Sequence, residues 1–277
     1  HNKIIPLLKQ EAPITNCYGE LVDRLVAKGN TSEARTWAKK GYQKTISSYQ
    51  GIAGKMIEKL YIISFKEKDY LMAAAYKALD FFNHENFNYF TELKKVAKTA
   101  KLWPQVRENI LHYLETGKLK AWPLPETKLK EPVRQKHLSF PNYTFLIEIA
   151  IEEKRINDVV KWYKAIPTKN TIHFYSNTDE KVAHAVQDNY PDLSVHIWKG
   201  LAESHISRVK PAAYQDAAVY LRKIKKLYHK GKQQTEWQRY LSSLKTTQKA
   251  NLRLMQGLDS LVAKRIINGE TTFFLSR

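Results

Sequence analysis

A chain of 277 residues with 43% hydrophobic side chains is long enough for one large domain or two modest ones, and apolar enough to bury a real core, which excludes a disordered tail. Its single cysteine, Cys17, excludes an intrachain disulfide framework and a cysteine-built zinc site, and no apolar run approaches the roughly 20 residues that span a bilayer. A formal net charge of +19 is more than solubility asks of a domain this size and points to a polyanionic partner, nucleic acid first.

Ten glycines and little β-branched alternation fit an all-α fold. Residues 1–17, opening HNKIIPLLKQEAP, read as a lead-in without the long apolar segment of a secretory signal. With the lone cysteine this sets a cytoplasmic expectation, and a first residue other than Met sets the expectation of a longer parent chain. Helical hairpins begin at Tyr18. LVDRLVAKGN closes at Gly29 and Asn30, residue types that tolerate the left-handed turn, and TSEARTWAKKGYQ restarts with Thr31 or Ser32 as cap and Glu33 in the first turn. AGKMIEKLYIISF and LMAAAYKALDFF form the next pair across KEKDY. NFNYFTELKKVAKTAKL and WPQVRENILHYLE form another, with Trp103 and Pro104 opening the second helix. This N-terminal block spans 18–117.

Between Gly117 and Pro141 four prolines and six Lys or Arg against two Glu interrupt the rhythm. Residues 118–141 read as a basic, solvated linker more readily than as a polyanion-binding loop. The C-terminal block, 142–267, resumes with YTFLIEIAIEEKR and INDVVKWYKAI, crosses the loop PTKNTIHFYSNT, and continues with KVAHAVQDNY and PDLSVHIWKGLAESHISR. Three helices close it: AAYQDAAVYLRKIKKLYHK, TEWQRYLSSLKTTQ and NLRLMQGLDSLVAKR, followed by a tail at 268–277.

The second helices resemble one another. Ala34 with Trp37, Ala73 with Tyr76, Val159 with Trp162 and Val195 with Trp198 each set a small or β-branched residue three positions before a large aromatic. The aromatics recur after 39 residues from Trp37 to Tyr76 and after 36 from Trp162 to Trp198. Periods of that size indicate stacked helix pairs, because a lone pair cannot bury its apolar stripe. The expected architecture is a tetratricopeptide-like array, an α-solenoid, in which these rings are wedges between helices.

Chemistry is scarce. Glu148 with Glu152 and His184 with Asp188 share a helix face at four-residue spacing, but neither pair has an evident third partner. No glycine-rich phosphate loop, paired-His metal motif or nucleophile elbow is present, so neither an enzyme, a metal nor a cofactor is expected. The basic excess is uneven: from His205 to Arg265 there are 14 Lys or Arg against three acids. Within AAVYLRKIKKLYHKGKQQTEW the residues Ala217, Tyr220, Leu221, Ile224, Leu227 and Tyr228 make one apolar stripe, which commits the aromatics inward. Arg222, Lys223, Lys225, Lys226, Lys230, Lys232 and Arg239 remain as candidate phosphate contacts that would read no bases. A solvated amphipathic helix is the favoured account of the same residues.

The phrases GNTSEARTWAKKG, LWPQVRENILHYL, EEKRINDVVKWY, VAHAVQDNYPDLSVHIWKGLAESHI and AYQDAAVYLRKIKKLYHKGKQQTEWQRYLSSLKTTQKANLRLMQGLDSL look like the C-terminal helical region of bacterial SWIM zinc-finger proteins. The resemblance runs from about Val22 to Leu261 and is most specific in the last third. It implies an N-terminal zinc finger with Cys-x-Cys and Cys-x-His ligands that binds DNA or protein, followed by helical repeats. Cys17 alone cannot supply those ligands, so no zinc role passes to any residue here. The resulting expectation is a non-enzymatic scaffold that binds a protein partner, or a missing zinc-finger half, along a groove of second helices. The alternative is sequence-independent nucleic-acid binding by the basic C-terminal block.

Overall fold

The computed structural model describes residues 4–129, 139–167 and 177–247. Among them the chain forms thirteen helices and no strand, in accord with the all-α expectation. In chain order these are α1 (Ile4–Thr15), α2 (Tyr18–Ala27), α3 (Thr31–Thr45), α4 (Gln50–Lys66), α5 (Tyr70–His84), α6 (Phe87–Thr99) and α7 (Trp103–Thr116). There follow α8 (Tyr143–Glu152), α9 (Ile156–Ala165), α10 (Asn177–Val186), α11 (Pro191–Ile206), α12 (Pro211–Lys230) and α13 (Gln234–Thr247). Two compact units divide the chain after Leu146, inside α8.

The lead-in folds. Ile5, Leu8 and Ala12 of α1 lie on one face at helical spacing and are buried in the core of the first unit, despite Pro6 and Pro13. From α1 to α7, and again from α9 to α13, consecutive helices pack on one another, and α2 also reaches α4.

One connection recurs. After α2, α4, α6, α8 and α12 a single residue takes the left-handed conformation: Gly29, Lys68, Lys101, Lys154 and Lys232, with φ between 56° and 77°. The next amide then donates to the carbonyl five residues back: Asn30 to Leu25, Asp69 to Ser64, Leu102 to Ala97, Arg155 to Ala150 and Gln233 to Tyr228, at 2.8–2.9 Å. That bond satisfies a carbonyl the helix end leaves orphaned and folds the chain straight into the following helix. Because Asn30 closes this turn, it is also the residue that precedes α3. Thr31 is already helical, and the cap expected at Thr31 or Ser32 falls at Asn30 instead.

In the first unit one core collects Ile5, Leu8, Tyr18, Leu21, Leu25, Tyr42, Met56, Ile57, Leu60 and Tyr76. Gly41 lets α3 approach closely, since a Cβ there would stand 2.8 Å from Tyr18 Cγ and 3.1 Å from Met56 Sδ. Beside it the rings of Phe81, Phe90, Trp103 and Phe145 meet edge to face or tilted, with centroids 5.6–6.2 Å apart. The described part of the Pro-rich interval is not a free linker. Trp122 packs on Phe82, the Asn109 amide donates to the Ala121 carbonyl, and Leu124 and Leu129 are buried. Its apolar residues find cover on the helices, which its prolines and lysines do not announce.

The second unit is built around Trp198 and Trp237, both 1% exposed, with Val159, Val182, Val186, Ile197, Leu201, Leu221, Ile224 and Leu241. The aromatic wedges divide into two kinds. Tyr76 and Trp198 are buried, whereas Trp37 and Trp162 are half-buried at the edges of their cores, with Lys40 and Lys161 ammonium groups 4.5 and 4.1 Å from the ring centres. The helix expected over NLRLMQGLDSLVAKR, the tail at 268–277 and most of the loop PTKNTIHFYSNT lie outside the described residues.

Candidate functional site

On α12 the apolar stripe is where the sequence puts it: Ala217, Leu221, Ile224, Leu227 and Tyr228 are buried and Tyr220 is half-buried. The basic arc opposite is only partly available. Lys223 donates to Glu180 at 3.1 Å and to His184 Nε2 at 2.8 Å, and lies 5.6 Å from the Trp198 ring centre. Lys230 pairs with Asp188 at 2.8 Å, Arg239 pairs with Glu236 at 2.7 Å, and Lys225 is half-buried with an interaction of its own. Arg222, Lys226 and Lys232 are exposed and make no hydrogen bond or ion pair among the described residues.

Lysines engage members of both four-residue pairs. Glu148 takes Lys181 of α10 at 2.5 Å. His184 and Asp188 do not converge on a shared ligand, because each is taken by a different lysine of α12. Burial, then the charge of Lys223, hold the His184 imidazole below its ordinary value, so it is neutral and accepts from the lysine. Tyr220 donates to Glu180 at 3.1 Å, and burial beside that carboxylate pushes the phenol up to about 12. These contacts staple α10 to α12. Among the described residues no three His, Cys, Asp or Glu side chains are grouped to hold a metal ion.

The arrangement that sequence reasoning missed lies in the first unit, across α5. Lys77, 4% exposed, donates to Glu58 of α4 at 2.5 Å and to Glu92 of α6 at 2.7 Å, and its ammonium sits 4.3 Å from the centre of the Tyr61 ring. Burial pulls the ammonium down, but the two glutamate hydrogen bonds and charges outweigh it and leave it above its ordinary value. One turn further on is Asp80, also 4% exposed, whose carboxyl makes no hydrogen bond or ion pair among the described residues. Burial first, with Glu58 and Glu92 adding to it against the pull of Lys77, pushes this acid up to about 7.

Aromatic rings continue the surface in both directions. Tyr61 meets Phe65 at 5.7 Å and Phe65 meets Tyr70 at 5.3 Å, while at the other end His84 stacks on Tyr89 at 4.7 Å. Ile62 and Phe65, both on α4, are 38% exposed. The sequence did hold a signal. In LMAAAYKALDFF a lysine and an aspartate three residues apart interrupt an otherwise apolar helix, and two charges at that spacing share a face with each other and with their partners on flanking helices.

Comparison with family models, with curated proteins and with solved structures finds no match. The likeness to SWIM zinc-finger proteins therefore rests on the sequence phrases alone. Among the described residues no helix is long and apolar enough to cross a membrane.

Proposed function

We propose that this chain is a non-enzymatic scaffold of helical hairpins, a tetratricopeptide-like array that binds a protein partner over exposed faces of its second helices. The observation that carries the reading is the repeated left-handed turn at Gly29, Lys68, Lys101, Lys154 and Lys232, one device closing five hairpins. Within a unit, stacked hairpins joined this way expose successive second helices side by side, and such surfaces take extended partner segments. The face over α5 belongs to one such helix and is flanked by the exposed ring of Phe65 from α4. A zinc-finger half of the kind the SWIM resemblance implies is one partner consistent with this reading.

The unpaired Arg222, Lys226 and Lys232, with a net charge of +19, favour a second reading in which the C-terminal block tracks phosphates. The lysine and arginine contacts to Glu180, Asp188 and Glu236 weigh against it, because they already neutralise three of the seven candidate cations. Binding of the whole chain to a peptide array and to a labelled DNA duplex, each across a salt titration, separates the two. The scaffold reading expects saturable peptide binding that survives physiological salt. Tight duplex binding that falls steeply with salt, with no peptide bound, would reverse the order.

A further inference from the structure

Helical spacing puts Tyr70, Ala73, Lys77, Asp80 and His84 along one face of α5. Glu58, Tyr61 and Phe65, each a turn apart on α4, stand on one side of it, and Tyr89 and Glu92 of α6 stand on the other. Three carboxyl groups share this face with a single ammonium, so it is acidic in a chain whose net charge is +19. Asp80 is 4% exposed there; its carboxyl feels the charge of Lys77 but makes no hydrogen bond or ion pair among the described residues, and its oxygens are not among the side-chain atoms closed off from water, so the group is covered yet reachable from the surface. Lys77 shows what the groups suit: an ammonium laid on Tyr61 between two glutamates. At the far end, Phe65 lies open to solvent beside Tyr70.

We propose that this face of the first unit is a docking site for a basic peptide segment of a partner protein, whose Lys or Arg seats against Asp80, Glu58 and Glu92 while an apolar residue covers Phe65. Resting on the scaffold reading, the inference gives that partner its chemistry. From Tyr70 to Asp80 the face is about 15 Å long at 1.5 Å per residue, which an extended peptide covers in four or five residues, at roughly 3.3 Å each. The cation and the apolar residue of the partner are therefore about that far apart. The charged groups that face Asp80 are Glu58 from α4, Lys77 from α5 and Glu92 from α6, with the titratable rings of His84 and Tyr89 at its far end. An arriving cation makes the ionised form of Asp80 the favoured one, so its carboxyl O–H bond breaks, the proton passes to the buffer, and the carboxylate pairs with the peptide cation.

The test uses the full chain and synthetic peptides carrying one Arg or Lys and one Leu or Phe four or five residues apart, with Glu-for-Arg/Lys versions as controls. Calorimetry in two buffers of different ionisation enthalpy counts the protons. The expected result is binding of the cationic peptides only, with close to one proton released near pH 6 and almost none above pH 8, by roughly the proton occupancy of an acid titrating near neutrality. Asp80→Asn abolishes the proton release, and both Asp80→Asn and Phe65→Ala weaken binding by about tenfold. Circular dichroism of each variant checks that it is folded, and Phe65, being half exposed, tolerates truncation. Equal binding of the Glu controls, no peptide bound, or affinity indifferent to both substitutions overturns the inference. Peptide binding that ignores Asp80→Asn and Phe65→Ala leaves the scaffold reading standing and removes only this site. Duplex DNA bound with no peptide bound removes both.

Discussion

Replacing Asp80 with Asn removes one titration and almost nothing else, since the amide has the shape of the protonated acid. Below about pH 3 Asp80 is protonated both in the fold and in the unfolded chain, and parent and variant are expected to be equally stable. As pH rises the unfolded side chain ionises with its ordinary value of 3.8, while the native one, 4% exposed and facing Glu58 and Glu92, keeps its proton up to about 7. Across that window the native state binds more protons than the unfolded state, so the parent loses stability as pH climbs, by about 1.4 kcal/mol per pH unit. Between 3.8 and about 7 the loss accumulates to about 4 kcal/mol, and above that it is constant. Asp80→Asn does not titrate, so its advantage opens from near zero at pH 3 to about 4 kcal/mol at pH 8. Urea unfolding followed by circular dichroism at a series of pH values measures the gap, and hydrogen exchange of the α5 amides localises it to the first unit. A gap that does not change with pH, or a variant less stable than the parent at pH 8, would refute the reasoning, because it would mean that Asp80 is paired as an anion in the native state.

Four other variants probe the fold and the basic surface. Gly41→Ala places a methyl 2.8 Å from Tyr18 Cγ and should destabilise the first unit by about 1–3 kcal/mol in urea unfolding, more than any helix-propensity gain of about 1 kcal/mol returns. Lys101→Gly and Gly29→Lys should shift stability in opposite directions by about 1 kcal/mol each, since both sites are left-handed and a Cβ at Gly29 meets no atom within 4 Å, which leaves backbone strain as the only difference. The combined Arg222→Glu, Lys225→Glu, Lys226→Glu, Lys230→Glu variant should elute earlier from a phosphate-rich column yet keep its peptide binding, and loss of peptide binding in that variant would move the docking face to the second unit.

The helices were legible because their apolar residues recur at three and four positions with little ambiguity, and α12 shows how far that goes: Ala217, Leu221, Ile224 and Leu227 are all buried. What composition hid was cover. Pro6 and Pro13 make α1 look like a lead-in, yet Ile5, Leu8 and Ala12 still align on one face, and only the core that receives them reveals the helix. The basic arc of α12 was visible as a sum of charges, but a sum contains no partners. Glu180 and Asp188 lie about forty residues upstream of Lys223 and Lys230, and only packing of α10 near α12 shows that these lysines are engaged. The face on α5 was unreadable for the same reason, because Glu58, Lys77 and Glu92 are ordinary helical residues until three helices bring them together.

Lys77 and Asp80 are buried to the same extent on the same helix, and the fold treats them oppositely. Lys77 receives two carboxylates and an aromatic ring, so removing it would leave Glu58 and Glu92 facing each other across α5; its place is explained by what it holds together. Asp80 feels the charge of Lys77 but makes no hydrogen bond or ion pair among the described residues, and an asparagine there would keep its shape without the titration. A stable fold alone therefore gives no reason for an acid at position 80. A cation from outside the chain does, because the same burial that penalises the lone carboxylate strengthens its attraction to a charge that displaces water from the face.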